Sequence, residues 1–451
     1  MQTLIAKRAL LPSGWARNVA ITIDGGRITG VAPQVGHAAT HDAILPALGN
    51  LHSHTFQRAM AGMSEKRGPS ADSFWTWRRL MYQFLDRLTP EHIEAIAAQV
   101  FVEMLGAGYA SVGEFHYIHH ATGGTPYDNR AELSARIAAA AHDTGIGLTL
   151  LPVLYTYGGA GQQPLAGGQL RFGNSVEDFL RLLDGAEVAC ASLPGDTVVG
   201  VAPHSLRATS APDLRALLSA RPSGPVHMHI AEQPQEVADI EATLGARPVE
   251  WLLTEIGADP RWCLIHATHM TDAETEALAG SGAVAGLCPI TESNLGDGPF
   301  NGASYLAAGG RFGVGSDSNI RVALAEELRT LEYSQRLRDL ERNVLAEGEG
   351  STGARLYKCA AEGAAQALGR GSGRLEAGAM ADLVAIDTAD IRLCNLTEDQ
   401  LLDGWIFAAD DDVVTDVWSA GRHVVKAGAH LARDTVARRY RATLAELTAD
   451  L

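Results

Sequence analysis

Short apolar runs alternate with longer helix-like stretches through the middle of this chain. The runs cover residues 45–51, 110–115, 147–155, 198–203, 226–231, 263–267, 284–289 and 312–316. Stretches 90–107, 129–144, 176–191, 211–220 and 271–281 separate several of them. Runs of this length read as buried strands, and their alternation with helices predicts an α/β fold, specifically a (β/α)8 barrel of the TIM type. In such a barrel the chemistry sits at the C-terminal ends of the strands. An open α/β sheet is the competing arrangement. No Gly-x-Gly-x-x-Gly opens a helix after the first run, so that sheet would lack a phosphate-binding fingerprint.

The two ends of the chain carry a different pattern. Residues 20–31 alternate around Asp24-Gly25-Gly26 and predict a hairpin. Residues 381–387 and 413–425 read as strands of the same kind, and 433–451 as a terminal helix. The simplest organisation is a composite β-module, a small β-sandwich built from residues 1–45 and 369–451, flanking a barrel over 46–368.

Composition narrows the class. The 451 residues are 46% hydrophobic and 20% charged, which suits a core-forming globular chain with one large domain and a smaller one. A formal charge of −17 repels nucleic-acid backbones and anionic membranes, so neither is an expected partner. A small anionic substrate would need arginines placed locally. Five scattered cysteines without a C-x-x-C, and no signal-like or membrane-spanning apolar stretch, point to reduced thiols and a cytoplasmic location.

Polar residues gather where the runs end. His52 and His54 close the first run, and a period of two sends both imidazoles to one side. Glu114, His116 and Tyr117 mark the end of the second run, and His204, with Arg207 three residues on, follows the fourth. The fifth offers His227, His229 and Glu232, the sixth His266 and His269, and the eighth Asp317. Three imidazoles and one carboxylate, His52, His54, His229 and Asp317, suit a single zinc with room for water. Parity alone does not separate His227 from His229, nor spacing His266 from His269. His116, His119 and His120 could form a second metal cluster, although packing accounts for them equally well. Glu232 is placed to carry a proton to a leaving nitrogen.

Asn50-Leu51-His52-Ser53-His54, His229-Ile230-Ala231-Glu232, His266-Ala267-Thr268-His269 and Gly315-Ser316-Asp317 together resemble the amidohydrolase superfamily, in its single-metal aminohydrolase branch. The resemblance spans essentially the whole chain. It implies that His52, His54, His229 and Asp317 hold one divalent metal, with zinc favoured, and that His266 contacts the hydrolytic water. No lysine ends a strand as the bridging ligand of the binuclear branch, which favours one ion.

Phe56-Gln57-Arg58, Trp77-Arg78-Arg79, Gly113-Glu114-Phe115-His116-Tyr117, Pro203-His204-Ser205-Leu206-Arg207 and Thr291-Glu292-Ser293-Asn294-Leu295-Gly296-Asp297-Gly298 are similar to the formimidoylglutamate deiminase family of bacterial histidine degradation. That likeness implies a substrate pocket of Gln57, Arg78, Tyr117, His204 and Arg207, and a homodimer. It also implies hydrolysis of N-formimino-L-glutamate to N-formyl-L-glutamate and ammonia, with Glu232, His266 and Asp317 catalytic and no organic cofactor. Two arginines suit a small dicarboxylate substrate, since each can form a forked, charge-assisted pair of hydrogen bonds. The alternative keeps the chemistry and changes the substrate. Trp75 and Trp77 could stack on a ring, giving a nucleobase or nucleoside deaminase.

Overall fold

The computed structural model describes residues 1–34, 36–66 and 74–449, except the side chains of 74–79. Four strands open the chain, β1 (Gln2–Leu11), β2 (Gly14–Asp24), β3 (Arg27–Pro33) and β4 (His41–Pro46). The expected hairpin is β2–β3, turning through Gly25 and Gly26, both at positive φ. Central strands follow as β5 (Leu48–Ser53), β6 (Tyr109–His116), β7 (Gly147–Leu154), β8 (Val198–Val199), β9 (Ala202–Pro203), β10 (Val226–Ile230), β11 (Trp262–His266), β12 (Val284–Leu287) and β13 (Arg311–Val314). The fourth run, expected as one strand, is split into β8 and β9, both paired with β7. Gly200 sits at the break, where a Cβ would stand 2.7 Å from the Pro225 carbonyl. The chain closes with β14 (Leu383–Ile386), β15 (Val414–Ser419), β16 (Arg422–Lys426), β17 (Ala429–His430) and the helix Arg433–Thr448.

Hydrogen bonding gives two parallel central sheets, β5-β6-β7-β8 with β9 beside β7, and β10-β11-β12-β13. Single parallel bridges join Val201 to Val226 and Ser53 to Asp317. β5, β6 and β7 are buried at every residue, the continuous apolar signature of strands covered on both faces. Helices between them start on side-chain caps. Ser175, Ser210 and Thr271 each accept the backbone N–H three residues on, satisfying a donor the helix leaves open.

Both chain ends meet in one eight-stranded sheet, β17-β16-β15-β14-β4-β1-β2-β3. β4 is parallel to β1 and antiparallel to β14, so it stitches the N-terminal strands to the C-terminal ones directly before β5 begins. Ile21, Ile23, Ile44, Leu383 and Trp418 share a buried cluster of this sheet. Arg370 ties it to the central part, pairing at 3.1 Å with both Asp196 and Asp382. No helix of the described residues is long and apolar enough to cross a membrane.

Candidate active site

Two strand ends meet because glycine lets them. A Cβ on Gly315 would stand 2.6 Å from the His52 backbone nitrogen, so no larger residue fits where the chain leaves β13 for Asp317. The Asp317 N–H then donates to the His52 carbonyl and the His54 N–H to the Asp317 carbonyl. Asn50, Ser316, Asn319 and Ser53 form a buried hydrogen-bonded chain across the same seam. Ala231, His266, Ala267, Asp317 and Asn319 all have φ between 44° and 69°. Left-handed backbone at non-glycine residues costs about 1–3 kcal/mol each and is retained where the surroundings over-determine it. Here it marks three strand ends that carry pocket residues.

The expected ligand atoms converge. His52 Nε2 lies 3.2 Å from His54 Nε2 and 3.0 Å from His229 Nε2. Asp317 Oδ1 is 3.4 Å from the first and 3.2 Å from the second. Four donors at bonds of about 2.0 Å in a tetrahedron are about 3.3 Å apart, so the set has the spacing a zinc ion requires. His54 Nδ1 donates to the Phe115 carbonyl at 2.9 Å and His229 Nδ1 to the His204 carbonyl at 3.2 Å, which turns each Nε2 lone pair to the common centre. Burial, with the adjacent His54 imidazole acting in the same direction, holds His52 down at about 3, so its imidazole is neutral and free to ligate. Burial opposes ionisation of Asp317, yet the adjacent His52 and His54 imidazoles outweigh it and hold this carboxyl well below the usual range. The alternatives at each strand are separated by their contacts. His227 Nε2 is spent on the Ala367 carbonyl at 2.7 Å, away from the other imidazoles. His269 hydrogen-bonds backbone at Asp297.

His266 stacks on His229, with ring centres 5.6 Å apart and planes 11° from parallel. Its Nε2 is 3.7 Å from Glu232 Oε1 and 4.0 Å from Asp317 Oδ2, so the three groups face one small volume. Burial works against the imidazolium, but Glu232, Glu292 and Asp317 together push His266 up to about 10. Burial raises the Glu232 carboxyl, with His266 pulling the other way, so Glu232 is suited to holding a proton.

A cavity opens above this cluster. Gln57, Tyr117, His204 and Arg207 line it beside Glu232 and Asp317. Gln57 Nε2 donates to the Tyr117 hydroxyl at 2.7 Å. The side chains of Arg78, Arg79, Trp75 and Trp77 lie outside the described residues.

His116, His119 and His120 form no metal-binding group among the described residues. His119 Nε2 donates to the Val153 carbonyl and His120 Nε2 to the Gly173 carbonyl, and neither belongs to a metal-like group among the described residues. Several further residues contribute, to which the sequence alone assigns no role. Glu292 accepts from His266 Nδ1 at 3.2 Å and from the Cys288 N–H at 2.8 Å. Glu114 accepts both the backbone N–H and the hydroxyl of Thr55, pinning the residue after His54. Asp297 accepts from Gln233, immediately after Glu232. Their signal is a charged residue inside an apolar strand, as at Glu114, or in the first turn of a helix, as at Glu292, where acidic residues are ordinary.

The amidohydrolase family profile matches residues 43–424. The chain belongs to the amidohydrolase family. Residues 1–42 match a second profile, the N-terminal domain of formimidoylglutamate deiminase HutF. This amidohydrolase is 49% identical to the formimidoylglutamate deiminase of Pseudomonas aeruginosa, over 99% of this chain and 100% of that one. It is 28% identical to the 5-methylthioadenosine/S-adenosylhomocysteine deaminase of Natronomonas pharaonis, over 84% of this chain and 82% of the relative. Among solved structures, an amidohydrolase from Brucella melitensis superposes with a TM-score of 0.95 at 49% identity, covering 99% of this chain and 100% of that one. An adenosine deaminase from Xanthomonas campestris with bound zinc shares the fold, with a TM-score of 0.81 at 22% identity and 98% of each chain covered.

Proposed function

We propose that this amidohydrolase hydrolyses N-formimino-L-glutamate to N-formyl-L-glutamate and ammonia, in histidine degradation. The observation that carries the reading is a buried arginine, Arg207, lining the same cavity as Glu232, His266 and the four converging ligand atoms. The near full-length likeness to a formimidoylglutamate deiminase supports it independently.

His52, His54, His229 and Asp317 would hold a divalent cation, which would supply Lewis acidity and lower the pKa of water in the site. Asp317 Oδ2 takes a proton from the attacking water, and His266 Nε2 hydrogen-bonds the oxygen as its charge develops. Glu232 protonates the imino nitrogen. The proton taken by Asp317 then passes to the same nitrogen, the carbon–nitrogen bond breaks with ammonia leaving, and the hydroxyl proton returns to Glu232 as the oxygen becomes the formyl carbonyl. Arg207, with Arg78 by resemblance, binds the substrate carboxylates, while Gln57, Tyr117 and His204 shape the pocket around the formimino head.

The fold reading follows the same line. The two bridges support closure of the central strands into a (β/α)8 barrel over 46–368, and the buried cluster of the outer sheet's own residues supports a sandwich-like module of 1–45 and 369–451. Five free cysteines and a charge of −17 support a cytoplasmic setting, and family likeness supports a homodimer. Proton NMR of the reaction with N-formimino-L-glutamate tests the function. One formyl resonance and one ammonia per substrate consumed are expected, and formamide with free glutamate would reject this hydrolysis.

A further inference from the structure

Glu236 belongs to neither the metal set nor the pocket wall, yet it touches both ends of the chemistry. It is the third residue of the helix Pro234–Leu244 and is 1% exposed. Its Oε2 accepts the backbone N–H of Glu232 at 3.0 Å, and its Oε1 stands 3.9 Å from Arg207 Nε. That second oxygen has no hydrogen-bond partner among the described residues. A glutamate at this helical position ordinarily caps the residue that begins the helix, here Gln233. Glu236 instead reaches one residue further back and is buried, which is unfavourable for a carboxylate unless a cation balances it.

We infer that Glu236 is a positioning residue that keeps Arg207 aimed at the substrate and off Glu232, an inference that rests on the deiminase reading above. Burial works against the Arg207 charge, and Glu236 is the strongest of the neighbours that sustain it, ahead of Tyr155 and then Glu232. With the Glu236 charge gone, Glu232 becomes the strongest carboxylate neighbour of a buried guanidinium among the described residues. An Arg207–Glu232 pair would withdraw the cation from the substrate carboxylate and hold Glu232 ionised when it must carry a proton. Substrate binding would then have to break that pair first, so the cost would appear in KM. The backbone hydrogen bond has a separate effect, because it fixes the loop from which the Glu232 side chain projects.

Glu236→Gln separates the two roles. The amide retains an oxygen for the Glu232 N–H but loses the charge. Steady-state ammonia release from N-formimino-L-glutamate should show KM raised about tenfold with kcat reduced less than about threefold. Bound zinc and the thermal melting point should match the wild type. Glu236→Ala, which removes both contacts, should lower kcat as well. In an Arg207→Ala background, Glu236→Gln should leave KM unchanged, because the two residues act through one contact. A wild-type KM in Glu236→Gln, or an undiminished increase in the Arg207→Ala background, overturns the inference. A wild-type chain that releases no ammonia from this substrate rejects the deiminase reading and this inference together. An active wild type with an unaffected Glu236→Gln rejects the inference alone.

Discussion

Arg207→Ala removes a cation that is 9% exposed and lines the reaction cavity. Water cannot readily replace it at that depth, so the substrate carboxylate it serves would be left buried and unpaired. A hydrogen bond to a charged group contributes about 1.5–3 kcal/mol, and a forked arginine–carboxylate contact has two. Allowing for non-additivity, about 3–4 kcal/mol is lost. At 1.36 kcal/mol per tenfold, kcat/KM falls by about two to three orders of magnitude. Most of the loss should appear in KM, since the arginine faces the carboxylate and not the reacting carbon. Removing Arg207 also leaves Glu236 without its cation, which adds to the cost. The assay is ammonia release from the zinc-loaded variant, with zinc content measured in parallel. Retention of one zinc per chain with kcat/KM within threefold of wild type would refute the assignment of Arg207 to the substrate carboxylate.

Three further outcomes follow from the same structure. Chelation should abolish turnover, and added zinc should restore it, because the three imidazoles and Asp317 have tetrahedral spacing. Activity that survives complete metal removal would contradict this. Burial pulls His227 down from 6.5 to about 4, so the unfolded chain binds this proton first as pH falls. Its contribution is fully present above pH 6.5 and is lost between 6.5 and 4, about 3 kcal/mol in all. Urea unfolding of His227→Gln, whose amide can still reach the Ala367 carbonyl, should show a correspondingly shallower acid dependence over that window. An unchanged slope would count against it. Arg370→Ala leaves Asp196 and Asp382 buried without this shared cation and should cost about 3–5 kcal/mol, read as a lower unfolding midpoint.

The metal site was legible because its residues obey local rules. His52 and His54 share a strand face by the period of two, and a buried imidazole or carboxylate at a strand end stands out against an apolar run. The choice between His227 and His229 was not legible from periodicity. It depends on the Ala367 carbonyl, which is 140 residues away and accepts from His227. The hairpin of β2 and β3 was readable from its glycine turn. Pairing of β4 with both β1 and β14 was not, since sheet order between distant segments leaves no local trace. Glu236 and Glu292 were hidden for another reason. Each lies within the first turn of a helix, where acidic residues are ordinary, and only burial beside Arg207 or His266 gives them a role. The break between β8 and β9 shows packing overriding pattern, because Gly200 meets the Pro225 carbonyl where the apolar run continues.

The most direct test of the account compares kcat/KM for N-formimino-L-glutamate with that for guanine, cytosine and adenosine on the zinc-loaded chain. The account predicts turnover of the dicarboxylate with at least about a thousandfold preference over each ring substrate, the scale expected when buried charged groups would be left unpaired by the wrong ligand. Preferential deamination of a nucleobase or nucleoside would contradict it, leaving the metal site in place and removing the substrate.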